Sequence, residues 1–286
     1  MQQRDFESAS VFDFDAETAV LRIGDGRYVC ELDPTWWVFR GPNGGYLAAI
    51  VLRALAAVVD DPARAARSLT VHYATPPREG TIEMTARVER AGRSLSTCSA
   101  RIEQDGRIVG LALAAFGAVR SGPELCDLTM PDVAPPETLP VAPVGPDSPA
   151  IAGRWETRWA IGEPPDRDAP TEVDPAAEAA LIACWIRLPE RRPVDSFVAA
   201  ALSDAAIPAV FRRIREPVMV PTVDLTIHFR SALPAPGAAP DDFVLAVFRT
   251  GAVAEGFLEE DGELWSRDGT LLAQSRQLAA LLPFAR

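Results

Sequence analysis

Lysine is absent from this 286-residue sequence. That excludes Schiff-base chemistry and a Walker-type phosphate lysine, and it leaves all cationic work to arginine. Histidine is nearly absent. His72 and His228 are the only two, so no His-rich metal motif can be assembled. The four cysteines, Cys30, Cys98, Cys126 and Cys184, include no Cys-x-x-Cys pair. This argues against a zinc ribbon or a dithiol redox centre and predicts buried free thiols. Neither a Gly-x-Ser-x-Gly elbow nor a helix-opening Gly-x-Gly-x-x-Gly is present, so a serine-hydrolase elbow and a dinucleotide fold lack support. No apolar run reaches the roughly 18 residues of a membrane helix. The start, Met1 to Glu7, is polar and acidic, unlike a signal peptide, so residence in the cytoplasm is expected. Acids outnumber basic residues 40 to 28: the formal net charge is −12, which disfavours nucleic acid and anionic membranes as partners. No cofactor is implied.

What is present is a soluble, core-forming composition. Hydrophobic residues make up 48% and charged residues 24%, and the length suits two domains or one large one.

The chain repeats itself. Leu69-Thr70-Val71-His72-Tyr73 recurs as Leu225-Thr226-Ile227-His228-Phe229, and both read as strands. In the first copy, strand-like runs follow at 82–88, 94–104 and 107–116, with a turn at Asp105-Gly106. In the second they follow at 243–248, 255–265 and 270–281, with a turn at Asp268-Gly269. Asp-Gly between two such runs is a hairpin signal, because a tight primed turn needs positive φ. Ahead of each repeat lies an apolar helix, predicted over 45–59 and 196–214, with Pro208 ending or kinking the second. Further strand material stands at 19–32, with a turn at Asp25-Gly26, and at 154–161 and 179–188. Between the copies, residues 121–150 carry eight prolines and read as an extended linker.

A sheet with one apolar face needs a cover, and the helix supplies it. The expected fold is therefore α+β, a double hotdog: two antiparallel sheets, each wrapped around a buried helix, paired as a pseudo-dimer. The expected units are an N-terminal hotdog at 10–120, a linker at 121–150 and a C-terminal hotdog at 151–286.

Positions where the copies differ are candidates for function. Aligned on the shared strand, Thr222 stands opposite Ala66. Counted from the Asp-Gly turns, Gln277 stands opposite Ala114. Asp204 lies in an apolar helical setting, whereas the first helix has no acid. Conversely, Asn43-Gly44-Gly45 opens the first helix and no glycine opens the second. Gly44 and Gly45 can present free N–H groups to a carbonyl oxygen that acquires charge. Asp204 can serve as general base or orient a water, with Thr222 and Gln277 fixing its line of attack. His72 and His228 occur in both copies and read as scaffold.

Leu202-Ser203-Asp204, Pro221-Thr222-Val223-Asp224 and the block 264–277 resemble the acyl-CoA thioesterase II (TesB-like) family of double-hotdog proteins. In the first copy, Gly41-Pro42-Asn43-Gly44-Gly45 and His72-Tyr73-Ala74-Thr75-Pro76 also fit. The resemblance spans about Phe12 to Pro283. It implies hydrolysis of acyl-CoA by a water that an Asp, a Thr and a Gln activate, here Asp204, Thr222 and Gln277. Gln274 is a neighbouring alternative that strand alternation puts on the other face. Arg191, Arg192, Arg212, Arg213 and Arg215 are candidates for the CoA phosphates, or else a solvated face. Two other readings stand beside this one: a hotdog hydratase or dehydratase, which wants a paired Asp and His, and a non-catalytic acyl-thioester or lipid binder. The sequence leaves homo-oligomerisation open.

Overall fold

The computed structural model describes residues 13–163, 179–214, 216 and 218–283. The outer ends of the expected units, 10–12 and 284–286, lie outside the described residues, as does Arg215.

The first copy begins with a short helix α1 (Asp13–Glu17) and a hairpin, β1 (Leu21–Gly24) and β2 (Arg27–Leu32). The helix α2 (Gly44–Val59) and strands β3 (Ala65–Tyr73), β4 (Gly80–Ala91), β5 (Leu95–Gln104) and β6 (Arg107–Gly117) follow. The second copy runs β7 (Glu156–Ile161), β8 (Ala180–Arg187), α3 (Ser196–Leu202), β9 (Val218–Met219) and β10 (Thr222–Phe229). It ends with β11 (Val244–Thr250), β12 (Val253–Ala254), β13 (Phe257–Trp265), β14 (Leu271–Ala280) and β15 (Leu282–Pro283).

The expected two sheets are one. A 13-stranded sheet runs in the order β1-β2-β4-β5-β6-β3-β10-β14-β13-β11-β8-β7, with β12 attached to β13; β9 and β15 form a separate pair. Read outward from the β3/β10 junction, both halves use their strands in the same order. The halves merge because β3 and β10 would otherwise be open edges, and each satisfies the other's free backbone groups. Their register is Leu69↔Ile227, Thr70↔Thr226 and Val71↔Leu225. The two repeat threonines thus face each other, with hydroxyls 3.0 Å apart. Period-2 patterning records which face of a strand is buried. It does not record what pairs with the outermost strand, so the junction left no trace in it.

The helix α2 is apolar except for Arg53 and lies inside the wrap of the first half. Ile50, Leu52 and Leu55 are fully buried. Asn43 caps it, with Oδ1 accepting from the Tyr46 N–H at 3.0 Å, and Asp60 ends it in the left-handed conformation.

The second helix is shorter than predicted. α3 stops at Leu202, well before Pro208, and a 3-10 turn at Ala209–Arg212 stands in the expected last stretch. Ser203 turns its hydroxyl back onto the Ala199 carbonyl at 2.9 Å. The next amides bond three residues back, Asp204 to Ala201 and Ala205 to Leu202, so the ladder tightens and ends.

Two further expectations need correction. Asp105-Gly106 is a two-residue turn with both φ positive, joining Gln104 to Arg107. Asp268-Gly269 instead lies in a five-residue loop, because Trp265 pairs with Leu271. The proline-rich segment is not a bare spacer either. Met130, Val133 and Leu139 pack on Trp185, Leu245 and Trp265, and Trp185 Nε1 donates to the Ala134 carbonyl at 2.9 Å. Its prolines keep it out of the ladder while its apolar side chains cover the outer face of the second half-sheet. Of the four thiols, Cys126 in this strap is exposed and the other three are buried.

Candidate active site

The start of α2 and the end of α3 meet. Gly45 packs so tightly on α3 that a Cβ there would lie 2.4 Å from the Ala201 carbonyl oxygen. A Cβ on Gly44 would lie 2.9 Å from Asp204 Oδ2. The glycines are therefore needed for close approach.

Asp204 does not lie on α3. It stands two residues past its end and turns toward the first turn of α2. Its Oδ2 accepts from Asn43 Nδ2 at 2.9 Å and from the Gly45 N–H at 3.2 Å. Asn43 Nδ2 also donates to the Asp204 main-chain carbonyl at 2.6 Å. So the free amide end predicted at Gly44 and Gly45 is turned on the carboxylate, where the positive end of the helix dipole favours a negative charge. Burial nonetheless pushes Asp204 up to about 6, against the Gly45, Gly44, Asn43 and Gln277 hydrogen bonds, which pull it down.

Thr222 and Gln277 come together. The Thr222 hydroxyl donates to Gln277 Oε1 at 2.8 Å. A bulge at Val223 makes this contact: pairing jumps from Thr222↔Ala279 to Asp224↔Leu278. Without it, alternation from buried Leu225 would turn Thr222 to the outer face with Asp224. The matching bulge at Arg67 puts Ala66 on the inner face of the first half. Gln277 pairs with Leu225 as Ala114 pairs with Leu69, so the two copies correspond here as aligned. Gln274 pairs with His228 on the outer face.

Two residues that the copy comparison did not single out complete the arrangement. Asn43 is the only asparagine in the chain, and its position as the cap before Gly-Gly was the available signal. Glu260 is buried and accepts from Gln277 Nε2 at 2.9 Å. Burial, with the nearby Asp204 charge, pushes it up to about 7. The longer loop before Gly269 hid it, because it shifts the residue count on β13 by one against the first copy. Tyr73, on the last position of β3, donates to the Gly44 carbonyl at 2.7 Å, and burial holds its phenol well above the ordinary range.

The matching place at the start of α3 is built differently. Arg53 of α2 lies over the Phe197 ring, 4.3 Å from its centroid, and pairs with Asp15. Arg192 bridges Asp15 and the α3 cap Asp195. Arg192 is thus buried in ion pairs and is not a phosphate ligand, contrary to its candidacy. Arg191 is exposed, 4.0 Å from Asp241.

Both histidines point away from Asp204. His72 and His228 are exposed on the outer face, and His72 Nδ1 lies 4.0 Å from Asp224 instead. Among the described residues, no group of metal-ligating side chains is assembled and no helix is long and apolar enough to cross a membrane.

Comparison with known proteins agrees on the family. The acyl-CoA thioesterase N-terminal domain matches residues 33–117, and the C-terminal domain of the same family matches residues 131–281. No curated protein sequence matches the chain. Among solved structures, a conserved hot dog fold protein of Alicyclobacillus acidocaldarius is 28% identical, covering 96% of this chain and 100% of its own, with a TM-score of 0.84. A proposed thioesterase II of Thermobifida fusca is 27% identical, covering 94% of this chain and 97% of its own, with a TM-score of 0.77. The acyl-CoA thioesterase II TesB2 of Mycobacterium marinum, 18% identical, shares the fold over 95% of this chain and 99% of its own, with a TM-score of 0.74. With both of its halves matched by the paired domains of one family, the chain belongs to the acyl-CoA thioesterases and has the hot dog fold.

Proposed function

We propose that the chain hydrolyses acyl-CoA by direct attack of a water that Asp204, Thr222 and Gln277 hold and activate. Two hotdog units, 10–120 and 151–286, joined by 121–150, act as a fused pseudo-dimer sharing this one site. The observation that carries the reading is the buried Asp204 carboxylate, poised at about 6 and held across the two halves by Asn43 and Gly45.

Asp204 takes a proton from the water as its oxygen bonds to the thioester carbon. Thr222 and Gln277 orient that water. The carbonyl oxygen, gaining charge, takes up amide donors at Gly44 and Gly45. The Gly45 contact to Asp204 is long at 3.2 Å, so an incoming carbonyl oxygen can compete for it, and losing that donor makes the carboxylate more basic. Collapse of the tetrahedral intermediate breaks the C–S bond, and the proton on Asp204 passes to the departing CoA thiolate. A hydratase would want a histidine beside Asp204, and neither histidine faces it.

Asp204→Ala is expected to lower kcat by roughly 10²–10⁴-fold, the usual contribution of a general base, with the far-UV circular dichroism unchanged. Thiol release from a panel of acyl-CoA chain lengths measures it. Wild-type turnover in a folded Asp204→Ala protein sinks the proposal.

A further inference from the structure

We propose that Glu260 is a positioning residue for this reaction: its carboxylate fixes which way the Gln277 amide faces, and so where the Thr222 hydroxyl points. The inference rests on the Asp204, Thr222 and Gln277 reading above and extends it to a residue behind the site.

An amide side chain has two orientations of nearly the same shape, with opposite hydrogen-bonding character. A carboxylate can only accept. Glu260 Oε1 takes the Gln277 Nε2–H at 2.9 Å, which turns Gln277 Oε1 toward Thr222, and the Thr222 hydroxyl donates to it at 2.8 Å. Reversing the amide would set its oxygen against a carboxylate and turn its NH₂ to Thr222, whose hydroxyl would then accept and point its hydrogen elsewhere. The other oxygen of Glu260 is engaged as well: Oε2 accepts from the Ala209 N–H at 2.5 Å and from Thr250 Oγ1 at 3.4 Å. These donors are neutral, so the acid is buried without an ion-pair partner among them, an expensive arrangement for a merely structural group.

The two copies give an independent argument. Glu260 pairs across β13/β14 with Gln277, and Cys98 pairs across β5/β6 with Ala114. Gln277 corresponds to Ala114, so Glu260 corresponds to Cys98. One half packs this cross-strand pair with a thiol and a methyl, both buried. The fold therefore does not require a carboxylate here; the carboxylate accompanies the glutamine.

The test is Glu260→Gln beside Glu260→Cys, the latter being the residue the other half accommodates at this place. Steady-state thioester hydrolysis should show kcat down roughly 10–100-fold, the scale of a misplaced reacting group, with KM changed less than about twofold. In a Gln277→Ala background either substitution should cost no further activity. A loss that multiplies in that background assigns Glu260 to holding Ala209 instead and overturns the proposal, as does wild-type kcat in either folded variant. Asp204→Ala in the same series separates the two readings. An inactive Asp204→Ala with fully active Glu260 variants removes only the positioning role, whereas an active Asp204→Ala removes the site itself.

Discussion

At the scale of single residues, the site is a contest over one charge. Asp204 is desolvated, which favours the neutral acid, while amide donors from the start of α2 favour the anion; desolvation wins and the group stands near 6. As the proposed base, Asp204 must be ionised to take a proton from water. Activity should therefore be lost as pH falls through about 6 and reach a plateau above it, the reverse of what an acid catalyst would give. Glu260, at about 7 and raised in part by Asp204, couples to it, so the limb belongs to the pair. A kcat/KM profile from pH 4.5 to 8.5 checks the sign. In Asn43→Ala the loss of a donor to Oδ2 should move the limb upward, because the anion loses a stabilising partner. A limb that stays fixed or moves downward would contradict this account.

At the scale of elements, the junction of α2 and α3 sets the geometry, and Gly45 permits it. Gly45→Ala forces its methyl against the Ala201 carbonyl. Overpacking of this kind costs about 1–3 kcal/mol, and the helices must separate just where Asp204 is held. Both the thermal midpoint and kcat should fall. Gly41→Ala is the control: its methyl would meet only the Pro76 Cβ at 3.4 Å, so both should stay near wild type. Equal effects of the two substitutions would show that close approach is not the reason for Gly45.

Much at this scale was legible in the sequence. The repeated Leu-Thr-x-His strand set Thr222 against Ala66, and the count from the Asp-Gly turns set Gln277 against Ala114, because side-chain alternation is rigid along a strand. What escaped were irregularities that alternation does not encode. The Val223 bulge that turns Thr222 inward is one, and the loop of 266–270 that displaced Glu260 in the count is another. The early stop of α3 came from Ser203 bonding back to Ala199, a local competition weaker as a signal than Pro208.

At the scale of the whole molecule, topology is symmetric and chemistry is not. The strands of the two halves run outward in the same order from Thr70 and Thr226, so symmetry would put an equivalent site at the start of α3. That place is closed by Arg53, Asp15, Arg192 and Asp195, with the Arg192 side chain 8% exposed. Buried charges so paired are hard to part, since removing one partner strands the others away from water. An acyl thioester meets there a cation over Phe197 and a helix start capped by Asp195, in place of Asp204 beside the Gly44 and Gly45 amides. One site per chain is the expected outcome. Calorimetric titration with a non-hydrolysable acyl-CoA thioether should give one equivalent bound per chain. Arg53→Asp should not create a second turnover site, because Asp195 still caps α3 and Phe197 stands where the first half has Gly45. Two equivalents bound to the wild-type chain would mean that the ion-pair cluster opens, and that the halves had not divided the work after all.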